Sequence, residues 1–333
     1  SAARAVIHTM RSEPEEALRA CLAGLASEQT AAATRRLFLL LLARARFNIA
    51  LKGAQPFEPR GDDEDDVLPP SGPIGVDPQA LRLAWVAIEE AVTAMEETRW
   101  VANAEFLADI WVAAASMLGI QERVKDRVLA AARTRPDNAA LQTAAETIAA
   151  QCGDFKAALE ANGRTPEGER RTLRRVAFLN ELGKHKDCTE LMEGEFSRLS
   201  HSQALYGPTL VSAALSADVM ARDDLVGAWR STLLAGDNEL GAHAATLDFL
   251  LAIRRNRLER AQALKELRRA DSELGHPRPT TILLFHELDA GDKDQAPYFL
   301  EVVVRLRALF RLSPMVAVRT GVALATLGRW GDL

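Results

Sequence analysis

The amino-acid sequence predicts an all-α fold, an α-solenoid of stacked antiparallel helix pairs, and three observations carry that expectation. Hydrophobic residues make up 48% of the chain and are mostly Ala and Leu, with 5% aromatics and few runs of Val, Ile or Thr, a bias toward helix over strand. Short polar or Gly breaks between apolar helical segments recur at Gly119, Gly153, Gly183, Asp223, Asn256, Gly291 and Gly328, spaced by 34, 30, 40, 33, 35 and 37 residues. Five residues after each of the first six breaks comes Val124, Ala158, Cys188, Ala228, Ala261 or Ala296, small in five of six cases, where the second helix of a pair must approach the first.

Residues 1–51 read as helices. Pro14-Glu15-Glu16 opens one with its acids in the first turn, and Thr30 is placed to cap a longer one that runs to about Leu51. The apolar run Leu37 to Ala43 inside it is far short of the roughly 20 residues of a membrane span and reads as a core helix. Residues 52–76 differ in kind: five prolines, four glycines and the acidic run Asp62 to Asp66 neither sustain a helix nor bury a core, so a flexible loop or linker is expected. From Asp77, an N-cap followed by Pro78 at the first helical position, residues 77–333 read as a helical-repeat array.

Three stretches give that array a family resemblance. Met315 to Trp330 carries Gly321 at the small first-helix position, Leu324 one turn on, then Gly328 and Trp330; Leu210 to Trp229 carries Leu215, Ser216, Val219 and the turn Asp223-Asp224-Leu225; and the stretch from Leu141 to Glu160 carries a Gly-Asp-Phe turn. Residues 100–333 thereby resemble the tetratricopeptide-repeat superfamily, with Lys293 and the prolines Pro277 and Pro279 as departures. The resemblance implies a right-handed solenoid whose first helices line a concave surface. It places Arg170, Arg174, Asn180, His243 and Arg254 where a partner would be contacted. The Lys and Asn arrangement that clamps a peptide's C-terminal carboxylates is missing, because Ala177, Ala217, Leu250 and Val322 stand at the matching positions, which disfavours chaperone-tail binding. Gly331-Asp332-Leu333 falls where a second helix of the last pair would start, so an array continued elsewhere is expected.

Chemistry is sparse. The six histidines show no metal spacing, and no phosphate loop or nucleophile elbow is present, so no cofactor, metal or catalytic residue is expected. Cys21, Cys152 and Cys188 are scattered without CxxC spacing and read as packing residues in a reducing cytoplasm. A net charge of −5 provides no general positive field, which makes nucleic acid a minority reading. The sets Arg170, Arg171, Arg174, Arg175 and Arg254, Arg255, Arg257, Arg260 read most simply as solvated faces, and Trp85, Trp100, Trp111, Trp229 and Trp330 as core. The expectation is a non-catalytic scaffold for a protein or peptide partner; the alternative is the regulatory or sensor arm of a larger enzyme.

Overall fold

The computed structural model describes residues 2–52, 76–100, 105–200, 205–255, 259–273, 278–310, 314–329 and 331. The acidic, Pro-rich stretch falls almost wholly outside the described residues, as do Asn256, Arg257, Pro277, Trp330 and Asp332. Seventeen α-helices and no strand occur among the described residues, which divide into two compact units.

The first unit holds α1 (Ala2–Met10), α2 (Pro14–Leu25), α3 (Ala32–Leu51), α4 (Pro78–Glu97), α5 (Glu105–Leu118), α6 (Gln121–Thr134), α7 (Ala139–Gln151) and α8 (Phe155–Asn162). Each helix packs on its predecessor, and each odd-numbered helix also packs on the next odd one. Helix α3, flanked by α1, α2, α4 and α5, therefore buries Leu40, Leu41 and Leu42 in succession instead of a single stripe. The expected apolar core run at Leu37 to Ala43 lies in this helix, and no described helix is long and apolar enough to cross a membrane. Thr30 does not cap α3: its hydroxyl donates to Gly24 O at 2.8 Å, pinning the loop to the end of α2, and Ala31 takes the N-cap position.

The second unit holds α9 (Glu169–Glu181), α10 (His185–Glu195), α11 (Tyr206–Val219), α12 (Asp223–Ala235), α13 (Asn238–Arg254), α14 (Arg260–Glu273), α15 (Arg278–Glu287), α16 (Ala296–Phe310) and α17 (Pro314–Thr326). The packing rule repeats here, with α9 on α11, α11 on α13 and α13 on α15. The core between α13 and α17 is built on Phe285 and Phe299, whose ring centroids are 5.5 Å apart, with Leu284, Leu288 and Val302 fully or nearly fully buried around them.

Local sequence explains where these helices start and stop. Asp77, Asn138, Asp154 and Asp237 accept a backbone N–H in the first turns of α4, α7, α8 and α13, removing donors that a helix start leaves orphaned. Gly183 ends α9 in the left-handed conformation, φ 67°, which glycine adopts without a Cβ penalty. Ala221 does the same job after α11 at φ 55°, so the break lies two residues before the Asp223 expected from the sequence.

That shift corrects the small-residue step. Ala158, Cys188 and Ala296 are fully buried at the start of their helices, but Ala228 and Ala261 are exposed. Val226, five residues after Ala221, is the buried residue at this step in α12, and Ala263 is the buried one in α14. All three thiols are free, with Cys21 and Cys188 buried, and burial pushes the Cys21 thiol up to about 11. Trp100, Trp111 and Trp229 are buried, as core residues should be, whereas Trp85 is half-buried.

Candidate functional site

Three odd-numbered helices of the second unit, α9, α11 and α13, each leave a row of side chains exposed or half-buried. On α11, Pro208, Ser212, Leu215 and Val219 recur at helical spacing and are, with Asp218, the positions left exposed or half-buried, with Val219 45% exposed. The turn residues Gly183 and Ala221 stand 38 residues apart, and the same offset aligns these four with Arg170, Arg174, Ala177 and Glu181 on α9. On α13 the row narrows to Leu250 and Arg254, since His243 and Leu247 one to two turns earlier are buried.

The five residues singled out from the sequence divide between surface and packing roles. Arg170 is exposed on the row. Arg174 is half-buried, its guanidinium 5.5 Å from the Phe178 ring centroid. Arg254 is exposed and donates to Leu215 O at 2.7 Å, so α13 is tied to the carbonyl of the preceding odd helix. Asn180 turns toward α11, where its Oδ1 accepts from Ser216 Oγ at 2.8 Å. His243 is 7% exposed and lies against Gly207 of α11; burial drops its pKa to about 4, so it is neutral near pH 7.

Sequence reasoning missed the polar centre around Ser216. Ser216 is fully buried and spends its single proton on Asn180, so His185 Nδ1, 3.1 Å from the same oxygen, is the donor in that contact. Cys188 stands close by, donating to Val176 O at 3.4 Å, with its thiol pushed up by burial. A serine, a histidine and a cysteine thus meet without forming an activated nucleophile: the hydroxyl faces an amide oxygen in place of a base, and the thiol is held protonated. What the cluster does is hold α9, α10 and α11 together.

A second polar centre lies among α14, α15 and α16. Asp271, its side chain fully buried, accepts from Thr280 and Thr281 at 3.2 and 2.7 Å and from Tyr298 Oη at 2.6 Å, and it pairs with Arg305 at 2.7 Å. Burial, then the bond to Asp271, raises the Tyr298 hydroxyl to about 12. Arg268 lies over the Tyr298 ring at 4.5 Å from its centroid. The only sequence trace of this centre is one of the chain's two tyrosines, because Asp271 follows Arg268-Arg269 and reads as a surface residue.

Four of the cross-helix contacts fall near a common spacing. Thr209 donates to Leu173 O over 36 residues, Arg254 to Leu215 O over 39 and Arg319 to Phe285 O over 34, and Ser116 bonds to Gln151 over 35 in the first unit. In that unit a shallow cleft bounded by Leu129, Gln142, Ala161 and Arg164 has room for about one water, some 20 Å³. No group of metal-binding side chains occurs among the described residues. Neither a protein-family model nor a curated protein sequence matches the chain.

Proposed function

We propose that the second unit is a helical-repeat scaffold, a solenoid of the tetratricopeptide type, whose row on α9, α11 and α13 receives a peptide segment of a protein partner. The observation that carries this reading is the exposed stripe Pro208, Ser212, Leu215 and Val219, placed at the middle of three side-by-side helices. Its apolar members offer burial for a partner's side chains, at roughly 25 cal/mol per Å² of apolar surface covered. Arg170 and Arg254 flank it on the neighbouring helices and supply donors for backbone or acidic groups. Contacts spaced by 34 to 39 residues support the repeat character.

The test is selection of peptides from a displayed random library on the full chain, followed by affinity measurement on Leu215→Asp and Val219→Asp. Both positions are outside the core, so circular dichroism should be unchanged. A loss of at least about tenfold for the selected peptides supports the reading. Peptides that bind both variants as well as the parent chain place the partner surface elsewhere.

A further inference from the structure

We propose that Arg268, held against the Tyr298 ring, is the receiving edge of an oxyanion site that takes a carboxylate or phosphate group carried on a peptide. This site is separate from the row on α9, α11 and α13 and does not depend on that reading.

The argument starts from charge pairing. Asp271 is offset by Arg305, and all of its neighbours are hydrogen-bond donors, so this buried carboxylate is fully engaged. Among the described residues, no carboxylate pairs with Arg268. Asp292 feels its charge but is held below the usual carboxylate range first by the Asp294 N–H and Gln295, which occupy its oxygens. Arg268 is therefore a cation positioned by an aromatic face and not by an anion.

Geometry then fixes which way it can act. The Tyr298 ring is itself clamped, its hydroxyl bonded to Asp271 at 2.6 Å and contacted by Arg305 at 3.2 Å. The Arg268 guanidinium lies 4.5 Å from the centroid of that fixed platform, and a guanidinium engaged by no carboxylate can form two parallel N–H···O bonds, the arrangement that carboxylate and phosphate oxygens match. The Nε–H groups of Arg268 and Arg305, whose guanidinium carbons lie 4.5 and 5.7 Å from the centroid of this tyrosine ring, are both buried without a hydrogen-bond acceptor. Orphaned donors of that kind call for a partner. Lys265, exposed one turn before Arg268 on α14, adds a second cation on the same side of the helix. Glu301, 3.7 Å from Arg305 and 62% exposed, is a competing carboxylate at the rim.

The experiment titrates the full chain with inorganic phosphate at constant ionic strength, then with a phosphoserine peptide and a Glu-rich peptide of matched length. The readouts are the arginine Nε–H resonances and the dissociation constant. The expected result is a saturable shift of the Arg268 Nε–H signal, binding weakened about tenfold in Arg268→Gln, and a smaller loss in Arg268→Lys, which keeps the charge and loses the fork. Preference for the phosphoserine or the Glu-rich peptide identifies which source of oxyanion the site takes. Arg268→Gln binding all three probes as tightly as the parent chain, or no response of Arg268 Nε–H to any of them, overturns the proposal. Arg268→Lys, which retains the cation over the ring, covers the case in which the Gln variant fails to fold.

Discussion

Lowering the pH tests the burial of His243 directly. The imidazole sits against Gly207, where a Cβ would overlap it, and its pKa falls from 6.5 to about 4 on folding because burial penalises the charged ring. Between those values the unfolded chain binds the proton and the folded chain does not, so stability rises with pH across the window. The contribution is complete above pH 6.5, declines as pH falls, and is fully lost below 4. At about 1.36 kcal/mol per pKa unit the span amounts to about 3 kcal/mol. Urea denaturation at pH 7.0, 6.0, 5.0 and 4.5, compared with His243→Gln, isolates this share, since carboxylates and the similarly lowered His286 act in both proteins. The parent chain should lose about 2 kcal/mol more than the variant between pH 7 and 4.5. Parallel curves, or a His243 ring resonance that titrates near 6.5, would refute the reasoning.

Ala221→Gly should stabilise the second unit by about 1 kcal/mol, measured by urea melts, because the left-handed φ of 55° strains a residue with a Cβ. Arg319 lies 4.7 Å from the centroids of both Phe285 and Phe299 and donates to Phe285 O and Leu288 O at 2.6 and 2.5 Å; Arg319→Ala should cost about 3 kcal/mol, and Arg319→Lys should recover only part of it. Ser216→Ala leaves the Asn180 amide oxygen without its donor and should cost about 1 to 2 kcal/mol, visible as faster amide exchange at the C-terminal ends of α9 and α11.

The all-helical character was legible because Ala, Leu and the charged residues speak residue by residue, and the caps at Asp77 and Asp154 were legible because a short acceptor before a helix has a local mechanism. Gly183 announced its turn in the same way. Ala221 did not, since an alanine in the left-handed region leaves no compositional mark, and the neighbouring Asp223 drew the break two residues late. The polar centres were hidden for a different reason: Asn180 meets Ser216 across 36 residues, and Asp271 meets Tyr298 across 27, so only the folded chain brings them together. The helical register picked out Arg170 and Arg254 on the solvent row, but it had no means of seeing that α11 shields His243 or that Asn180 turns inward.

Ties that reach from one odd helix to the next also govern how damage spreads. Each unit is wired to near neighbours in sequence, so closing these links demands little loop ordering, and a fault at Leu173, Leu215 or Phe285 should loosen the adjoining hairpin before distant ones. Opening from an exposed end would then proceed as a graded unzipping, one hairpin after another, with exchange rates falling toward the interior of each stack.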